Sequence, residues 1–157
     1  MLKLVPMLDG DFAKYESETL TEYASNLLKA DGGSPETALA RATEAFLKVL
    51  PKGQDTPNQH FFTLLETELS ARVGWLWLAE VTSERGRGAY IYNIIVWPEY
   101  RGRGHGTRAL HAAEEWASEL GLQHIDLHVF GHNTGAQRIY QREGYRATRI
   151  YMTKSLS

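Results

Sequence analysis

The sequence contains no cysteine among its 157 residues. This absence excludes disulfide bonds, thiolate metal ligands and a cysteine nucleophile. No apolar run approaches the ~18 residues that a membrane span requires, and the first residues, MLKLVPMLDGDF, lack both the apolar core and the cleavage site of a signal peptide. We therefore expect a cytoplasmic protein without a membrane partner.

The sequence also lacks an excess of charge of either sign, since its formal net charge is −2. Proteins that bind nucleic acids usually carry a basic excess, so we expect no nucleic-acid partner. His128 and His132 stand four residues apart on a predicted strand, and no third residue has the spacing of a metal ligand. We therefore expect no metal.

The hydrophobic fraction of 43% and the charged fraction of 23% are those of a globular protein, and the length predicts a single domain over residues 1–157. Hydrophobic periodicity predicts the order β-α-α-β-β-β-α-β-α-β. This order indicates an α+β fold with a mixed, mostly antiparallel central sheet flanked by helices. The predicted strands are 3–8, 60–66, 72–81, 89–97, 124–130 and 145–154, and the predicted helices are 11–30, 35–49, 106–120 and 134–142.

The stretch YRGRGHGTRAL, residues 100–110, concentrates glycine and arginine between a predicted strand and a predicted helix. Glycines in a loop and solvated arginines would explain the composition without any function. The position favours a phosphate site, because the first N–H groups of a helix lack helical acceptors and carry partial positive charge. Glycines before the helix would let an anion approach these N–H groups closely.

A dinucleotide site is an alternative for the same residues. Gly104 to Ala109 fit the pattern G-x-G-x-x-[GA], and Asp126 follows Gly106 by 20 residues. However, residues 98–103 separate the predicted strand from this pattern, and only about thirty residues follow Asp126, too few for further βαβ units. The pattern for an ATP-binding P-loop is absent.

Two motifs in a fixed order carry a family resemblance. Arg101-x-x-Gly104-x-Gly106 follows an apolar strand, and the segment HVFGHNTGAQRIYQREGYRAT contains N-x-x-A-x-x-x-Y-x-x-x-G-[FY], beginning at Asn133. Together they resemble the GNAT superfamily of acyl-CoA-dependent N-acetyltransferases. The resemblance covers about residues 70–153, whereas residues 1–58 correspond to the part that varies among members and binds the acceptor.

The resemblance implies acetyl-CoA as co-substrate, a primary amine as acceptor, and a set of coenzyme-binding residues. Three residues of the preceding strand would lie along the pantetheine arm, where that strand separates from the next one at a bulge. The loop and first helical turn would bind the diphosphate through their N–H groups, and one residue would contact the coenzyme at the start of the last helix, where it could equally be an ordinary cap. These residues are Ile94, Ile95 and Val96; Arg101, Gly102, Arg103, Gly104, His105, Gly106 and Thr107; and Asn133.

Acetyl transfer requires a neutral amine, a stabilised oxyanion and a proton for the leaving thiolate. A backbone N–H near Ile95 or Val96 would stabilise the oxyanion. The resemblance implies that Tyr140 protonates the leaving sulfur. His128 stands where related N-terminal acetyltransferases carry a glutamate, and histidine changes charge near neutral pH, so His128 is the candidate base. A water relay, or no dedicated base, remains open.

The acceptor is not specified by the sequence. A peptide or protein N-terminus, a lysine and a small amine all fit, and a second copy of the chain is an open possibility as partner. A module that binds acyl-CoA without turnover is the alternative function. The aromatic residues available to line an acceptor pocket are Tyr15, Tyr23, His60, Phe61, Phe62, Trp75 and Trp77.

Overall fold

The structure, a computed structural model, describes residues 1–156 and consists of one sheet with helices on both faces. The strands lie in chain order, β1 to β5, and all neighbours are antiparallel except β4 and β5, which are parallel. The predicted α+β class is confirmed. The elements are β1 (Leu2–Pro6), α1 (Asp9–Asp31), α2 (Pro35–Val49), β2 (Gln59–Glu66), β3 (Ala71–Ser83), β4 (Gly86–Val96), α3 (His105–Glu119), β5 (Ile125–Leu127) and α4 (Thr134–Arg142).

The central strand β3 is buried on both faces, because its alternate side chains enter two different cores. Trp75 and Trp77 pack with residues of α1 and α2 on one face. Leu76 and Leu78 pack with residues of α3 on the other face, where Tyr140 of α4 also joins the core. The layers are therefore α1 and α2, the sheet, and then α3 and α4.

The helix ends follow local sequence signals. The Ser34 hydroxyl accepts a hydrogen bond from the Thr37 N–H at 3.1 Å, and Pro35 occupies the first turn of α2, as predicted. Gly32 ends α1 with a positive φ of 72°. The sequence thus determines these boundaries within about two residues.

The predicted last strand, 145–154, is wrong for the single chain, since these residues have no regular structure. The segment contains residues that favour strands, such as Ile150 and Tyr151, but a strand also needs a neighbouring strand with which to pair, and the sequence pattern does not reveal one. The predicted strand 124–130 is likewise too long. Only Ile125–Leu127 pair with β4, because the two strands separate beyond that point.

Candidate active site

Strand β4 separates from β5 at a bulge in its middle. β5 pairs only with Ala89, Tyr90 and Ile91 of β4. On the other side, Leu78 of β3 pairs with Ile91 while Trp77 pairs with Asn93, so Tyr92 is the extra residue of the bulge. The β4 segment after Tyr92 therefore has one edge paired with β3 and the other edge open.

The hydrogen-bond alternation identifies which backbone groups face this open edge. The Trp97 N–H donates to the Val73 carbonyl at 2.9 Å, and directly opposed antiparallel pairs alternate between bonded and non-bonded. The pair of Ile95 and Trp75 is then bonded, and the N–H groups of Ile94 and Val96 point to the open edge. A Cβ built on Gly74 would overlap the Ile95 carbonyl oxygen, which agrees with that carbonyl facing β3.

The turn after β4 depends on two glycines with left-handed backbones. Gly102 has φ 75°, and Gly104, the residue before α3, has φ 80°. The Arg108 N–H donates to the Gly104 carbonyl at 3.1 Å, which is the first hydrogen bond of α3. The earlier N–H groups, those of His105, Gly106 and Thr107, have no acceptor within the helix and suit an anion.

Gly106 differs from these two glycines because it has an ordinary helical backbone. A Cβ at this position would meet no heavy atom within 4 Å. Neither conformation nor packing within the chain therefore requires glycine at 106. A ligand can therefore approach the first turn of α3 closely at this position.

The His105 side chain points into the protein rather than into the turn. It is 3% exposed and lies against Tyr100, with ring centroids 6.1 Å apart. Arg108 donates to its Nδ1 at 2.7 Å, and Glu66 lies 3.5 Å from the same nitrogen. Burial lowers the pKa of His105, which favours the neutral ring that accepts this hydrogen bond. His105 can therefore offer the turn only its backbone N–H.

Several arginines surround the turn. Arg101 donates from Nε to the Val96 carbonyl at 2.8 Å, which ties the loop to the end of β4, and Arg103 is exposed. Arg142 of α4 donates to the Thr107 hydroxyl at 3.0 Å and brings another positive charge to the start of α3. The sequence alone does not indicate Arg142, because its proximity to the turn depends on how α3 and α4 pack.

A cleft of about 420 Å³ opens beside β4 and receives residues from six parts of the chain. Tyr140, Asn133 and His128 line it together with Ile94 and Ile95, so the structure brings the two predicted catalytic residues to one cleft. Val96 and the glycine turn lie further along the same strand and loop. The predicted residues thus form one continuous region along the second half of β4.

The Tyr140 side chain is packed against its neighbours in the cleft. It is half-buried in the cleft wall and packs edge-to-face against Tyr145, with ring centroids 5.9 Å apart. Burial raises the pKa of Tyr140, so the hydroxyl keeps its proton throughout the neutral range. The raised pKa also makes Tyr140 a weaker acid than a solvated phenol.

His128 and Asn133 occupy different settings in the same cleft. His128 is exposed, and its ring lies edge-to-face against Phe130 at 5.3 Å. Asn133 caps α4, since its Oδ1 accepts a hydrogen bond from the Ala136 N–H at 3.2 Å. The amide nitrogen of Asn133 is left for another partner, so capping and ligand contact are compatible.

Aromatic side chains and one carboxylate line the rest of the cleft. Trp77 stacks on Tyr92 with centroids 4.2 Å apart, and Tyr90 lies 4.7 Å from Tyr92. Glu22 of α1 is the lining residue with a carboxylate, and within residues 1–156 no lysine or arginine lines the cleft. The cleft therefore favours a cation.

The seven aromatic residues available to an acceptor pocket divide between the cleft and the core. Tyr23 and Trp77 line the cleft, whereas Tyr15, Phe61 and Trp75 lie in the core beneath it, a position that suits their sequence pattern equally well. The Tyr15 hydroxyl donates to Asn93 Oδ1 at 2.7 Å and so supports the cleft wall from behind. His60 and Phe62 lie on the opposite face, against Trp116.

The dinucleotide alternative does not agree with this arrangement. The sheet is mostly antiparallel and lacks repeated βαβ units. Asp126, the residue that would contact a ribose, instead accepts a hydrogen bond from Arg85 at 2.6 Å on the far side of β5. In the part of the chain that the structure covers, no three acidic or histidine side chains are grouped as metal ligands, and no helix is apolar enough over its length to span a bilayer.

Comparison with known proteins gives consistent matches. Residues 22–145 match the model of the acetyltransferase (GNAT) family. YycN of Bacillus subtilis, named an uncharacterized N-acetyltransferase, is 34% identical over 99% of both chains, and its crystal structure aligns with a TM-score of 0.92 over 100% of this chain and 99% of that one. YdgE of the same organism, also named an uncharacterized N-acetyltransferase, is 31% identical over 98% of this chain and 97% of its own.

A more distant solved structure shares the fold alone. AAC(6′)-Iy, solved in complex with a bisubstrate analogue containing coenzyme A, is 15% identical and aligns with a TM-score of 0.60 over 100% of this chain and 99% of that one.

Proposed function

Because this chain belongs to the acetyltransferase (GNAT) family and is an N-acetyltransferase, we propose that it moves the acetyl group of acetyl-CoA directly to a primary amine. The observation that carries the proposal is the open edge of β4, which leads from the cleft into the glycine turn and the free N–H groups of α3. A fold neighbour in complex with a coenzyme A analogue supports the same ligand class.

The coenzyme binds mainly to the main chain. Its pantetheine arm pairs with the outward backbone groups of Ile94 and Val96, while the Ile95 N–H is used by β3. Its diphosphate lies over Gly106, against the N–H groups at the start of α3. The positively charged side chains of Arg101, Arg103 and Arg142 lie around it, and Asn133 approaches from α4.

The reaction forms one C–N bond and breaks one C–S bond. The amine nitrogen attacks the thioester carbonyl carbon, and the negative charge on the carbonyl oxygen is stabilised by the outward N–H of Val96 or Ile94. When the intermediate collapses, the C–S bond breaks and Tyr140 donates its proton to the leaving thiolate. The phenolate is then reprotonated from solvent.

His128 accepts the proton that the amine loses. It lies in the cleft, and an imidazole side chain can act as a general base. The ring is exposed, so the proton can leave the site to solvent. The pH dependence of the reaction distinguishes this role from a water relay.

The acceptor enters between α1, α2 and β4. Stacked aromatic rings attract a cationic group through their π faces, and Glu22 supplies a full negative charge at the same cleft. An acceptor with a carboxylate next to its amine would meet Glu22 without a compensating cation. A peptide N-terminus, a lysine side chain and a small amine without that carboxylate all fit.

The first experiment is a calorimetric titration with acetyl-CoA beside NADH and ATP. We expect micromolar binding of acetyl-CoA and none of NADH. Binding of NADH instead of acetyl-CoA would contradict the proposed ligand.

Turnover is measured as release of free thiol from acetyl-CoA in the presence of pooled amines and peptides. We expect release that depends on the added amine. Tight binding without release from any amine would favour a module that senses acyl-CoA.

A further inference from the structure

The cleft combines two features that attract positive charge. Trp77 stacks on Tyr92 with the ring planes 18° apart, and Tyr90 lies 4.7 Å from the same ring, so three aromatic side chains form a row along β3 and β4. Glu22 of α1 lines the same space, and no lysine or arginine of residues 1–156 does so. The cleft therefore attracts a cation through both aromatic π faces and a full negative charge.

The tyrosines attract a cation as neutral rings. Burial raises the pKa of both Tyr90 and Tyr92, so both phenols keep their protons at neutral pH. The Trp77 Nε1–H donates to Gln59 Oε1 at 2.7 Å, which fixes the indole plane against Tyr92. One face of Tyr92 is thus covered, but the ring is still 36% exposed and lines the cleft. Its other face is available to a ligand.

These features do not suit the amine that reacts. Acetyl transfer starts from a neutral amine, whereas surroundings that stabilise positive charge raise the pKa of an amine and keep it protonated. Under the proposed function, the reacting nitrogen lies beside the open edge of β4, with Tyr140 and His128 in the same cleft. The carboxylate and the aromatic row therefore suit a second, charged group of the acceptor.

The aromatic row ends where the open edge of β4 begins. Tyr90 lies in the part of β4 that pairs with β5, and Tyr92 is the bulge residue after which that edge is open. Strand residues rise about 3.3 Å each, so Tyr92 is about 7 Å along the strand from Ile94, the first residue with an outward N–H. A short aliphatic chain spans that distance.

The walls of the cleft favour a slender acceptor. His132 Nε2 donates to Asn26 Oδ1 at 3.0 Å, and the rings of Phe130 and Tyr23 have centroids 6.2 Å apart. The segment after β5 therefore meets α1 at the cleft wall, since three of these residues line the cleft. The volume of about 420 Å³ would also hold the end of the pantetheine arm. A small flexible molecule fits this space better than a segment of a folded protein.

We propose that the acceptor is a small aliphatic diamine or polyamine, in which one amine reacts beside Ile94 while a second, protonated amine lies against Tyr92 and Glu22. This inference rests on the proposed function and narrows its acceptor class. The first nitrogen forms the C–N bond as the C–S bond breaks, and the second keeps its proton throughout. The products are the monoacetylated amine, the free thiol of coenzyme A and one proton.

Matched amines test this acceptor class through the release of free thiol from acetyl-CoA. Diaminobutane, aminobutanol and butylamine share a four-carbon chain and differ in the group at its far end. We expect kcat/KM for diaminobutane to exceed that for the other two by roughly tenfold, and added salt to reduce the difference. Nα-acetyl-lysine amide, which presents a single amine as a protein lysine does, should react like butylamine.

Substitutions test whether Tyr92 and Glu22 cause the preference. A double variant, Glu22→Gln with Tyr92→Leu, should bring the ratio of kcat/KM between diaminobutane and butylamine down to about one. Tyr92→Phe keeps the ring, and Glu18→Gln lies on α1 outside the cleft, so each should keep this ratio within a factor of two of the wild type. A ratio that survives in the double variant would overturn the proposed position of the second amine.

Calorimetry in the presence of coenzyme A measures binding where no transfer occurs. We expect diaminobutane to bind roughly tenfold more tightly than butylamine. Equal thiol release from all the amines would overturn the diamine proposal and leave acetyl transfer in place. A faster reaction with the lysine amide than with diaminobutane would assign the cleft to proteins and also overturn it. Absence of release from any amine, even with preferential binding of diaminobutane, would instead contradict the proposed function.

Discussion

The two halves of the candidate site differ in which groups form them, backbone groups in one and side chains in the other. The coenzyme side consists mainly of backbone: the outward N–H groups of Ile94 and Val96, the left-handed glycines, and the first turn of α3. The acceptor side consists of side chains from α1, α2, β4 and the segment after β5. The first half therefore depends on chain conformation, whereas the second depends on which side chains the fold brings together.

Substitutions on the two sides of the site should therefore affect different steps. Replacing a side chain on the acceptor side should change catalysis or amine binding and leave the coenzyme affinity intact. Adding a side chain on the coenzyme side should weaken acetyl-CoA binding and leave catalysis and amine binding intact. Single substitutions can test whether coenzyme binding is separate from catalysis and amine binding.

Tyr140→Phe removes the proposed proton donor and should lower kcat by ~10²–10⁴-fold. The dissociation constant of acetyl-CoA should stay unchanged, because the hydroxyl is not among the backbone groups that bind the coenzyme. Since burial raises the pKa of Tyr140, its hydroxyl should ionise only at a higher pH than a solvated phenol, so its ionisation should not lower kcat in the neutral range. Steady-state kinetics from pH 6 to 10 and calorimetry measure both quantities.

Tyr145→Phe is the matched control. This ring is the neighbour of Tyr140, but its hydroxyl donates to Glu114 at 3.2 Å, away from the cleft. The change should cost about 1 kcal/mol of stability and leave kcat within a factor of two. Equal kcat losses in the two variants would remove Tyr140 from the mechanism.

His128→Gln should lower kcat/KM by ~10²-fold at neutral pH and abolish the acidic limb of its pH profile. In the wild type this limb arises because a protonated imidazole cannot accept the amine proton. The measurement is kcat/KM against pH for both proteins at saturating acetyl-CoA. An unchanged acidic limb in the variant would assign the base to another group or to water.

The sequence predicted the backbone of the turn between β4 and α3 better than the side chains that line the cleft. The residues of this turn are contiguous in the chain, and glycines indicate where the backbone takes unusual conformations. The turn at Gly102 and Gly104 was therefore predicted without a structure. The outward direction of Val96 and the bulge at Tyr92 depend on pairing with β3, which residue patterns do not encode.

The acceptor half depends on packing between distant segments. Alternation along β3 placed Trp75 and Trp77 on one face, but it could not show that Trp75 is covered by Tyr15 while Trp77 reaches the cleft. Glu22 was missed because many carboxylates of α1 are equivalent in sequence. The last strand was predicted from residue types that favour strands, but the described residues supply no strand that pairs with it.

Gly106→Ala adds one methyl group and tests whether the coenzyme binds at the first turn of α3. The new Cβ meets nothing in the free protein, so folding should be unaffected or improved by up to about 1 kcal/mol through helix propensity. The affinity for acetyl-CoA should fall roughly tenfold, equivalent to ~1.4 kcal/mol, because the methyl group occupies the space over the free N–H groups.

Gly10→Ala provides the control, because Gly10 is also the second residue of a helix and also has open space around its Cα. It should produce a similar change in melting temperature without any loss of affinity. If Gly106→Ala binds acetyl-CoA as tightly as the wild type, the diphosphate does not lie over the start of α3.

Glu22→Gln should have the smallest effect and should act on the amine alone. The carboxylate is exposed at the cleft, and such a contact with a cation contributes about 0.5–1 kcal/mol, so the KM for the amine should rise roughly two- to five-fold. The kcat and the KM for acetyl-CoA should not change. Added salt should raise the wild-type KM toward that of the variant, because screening weakens the same attraction. Glu18→Gln, one turn earlier on α1 and outside the cleft, should leave all three constants unchanged. An identical amine KM in the wild type and Glu22→Gln would mean that the aromatic wall alone selects the acceptor.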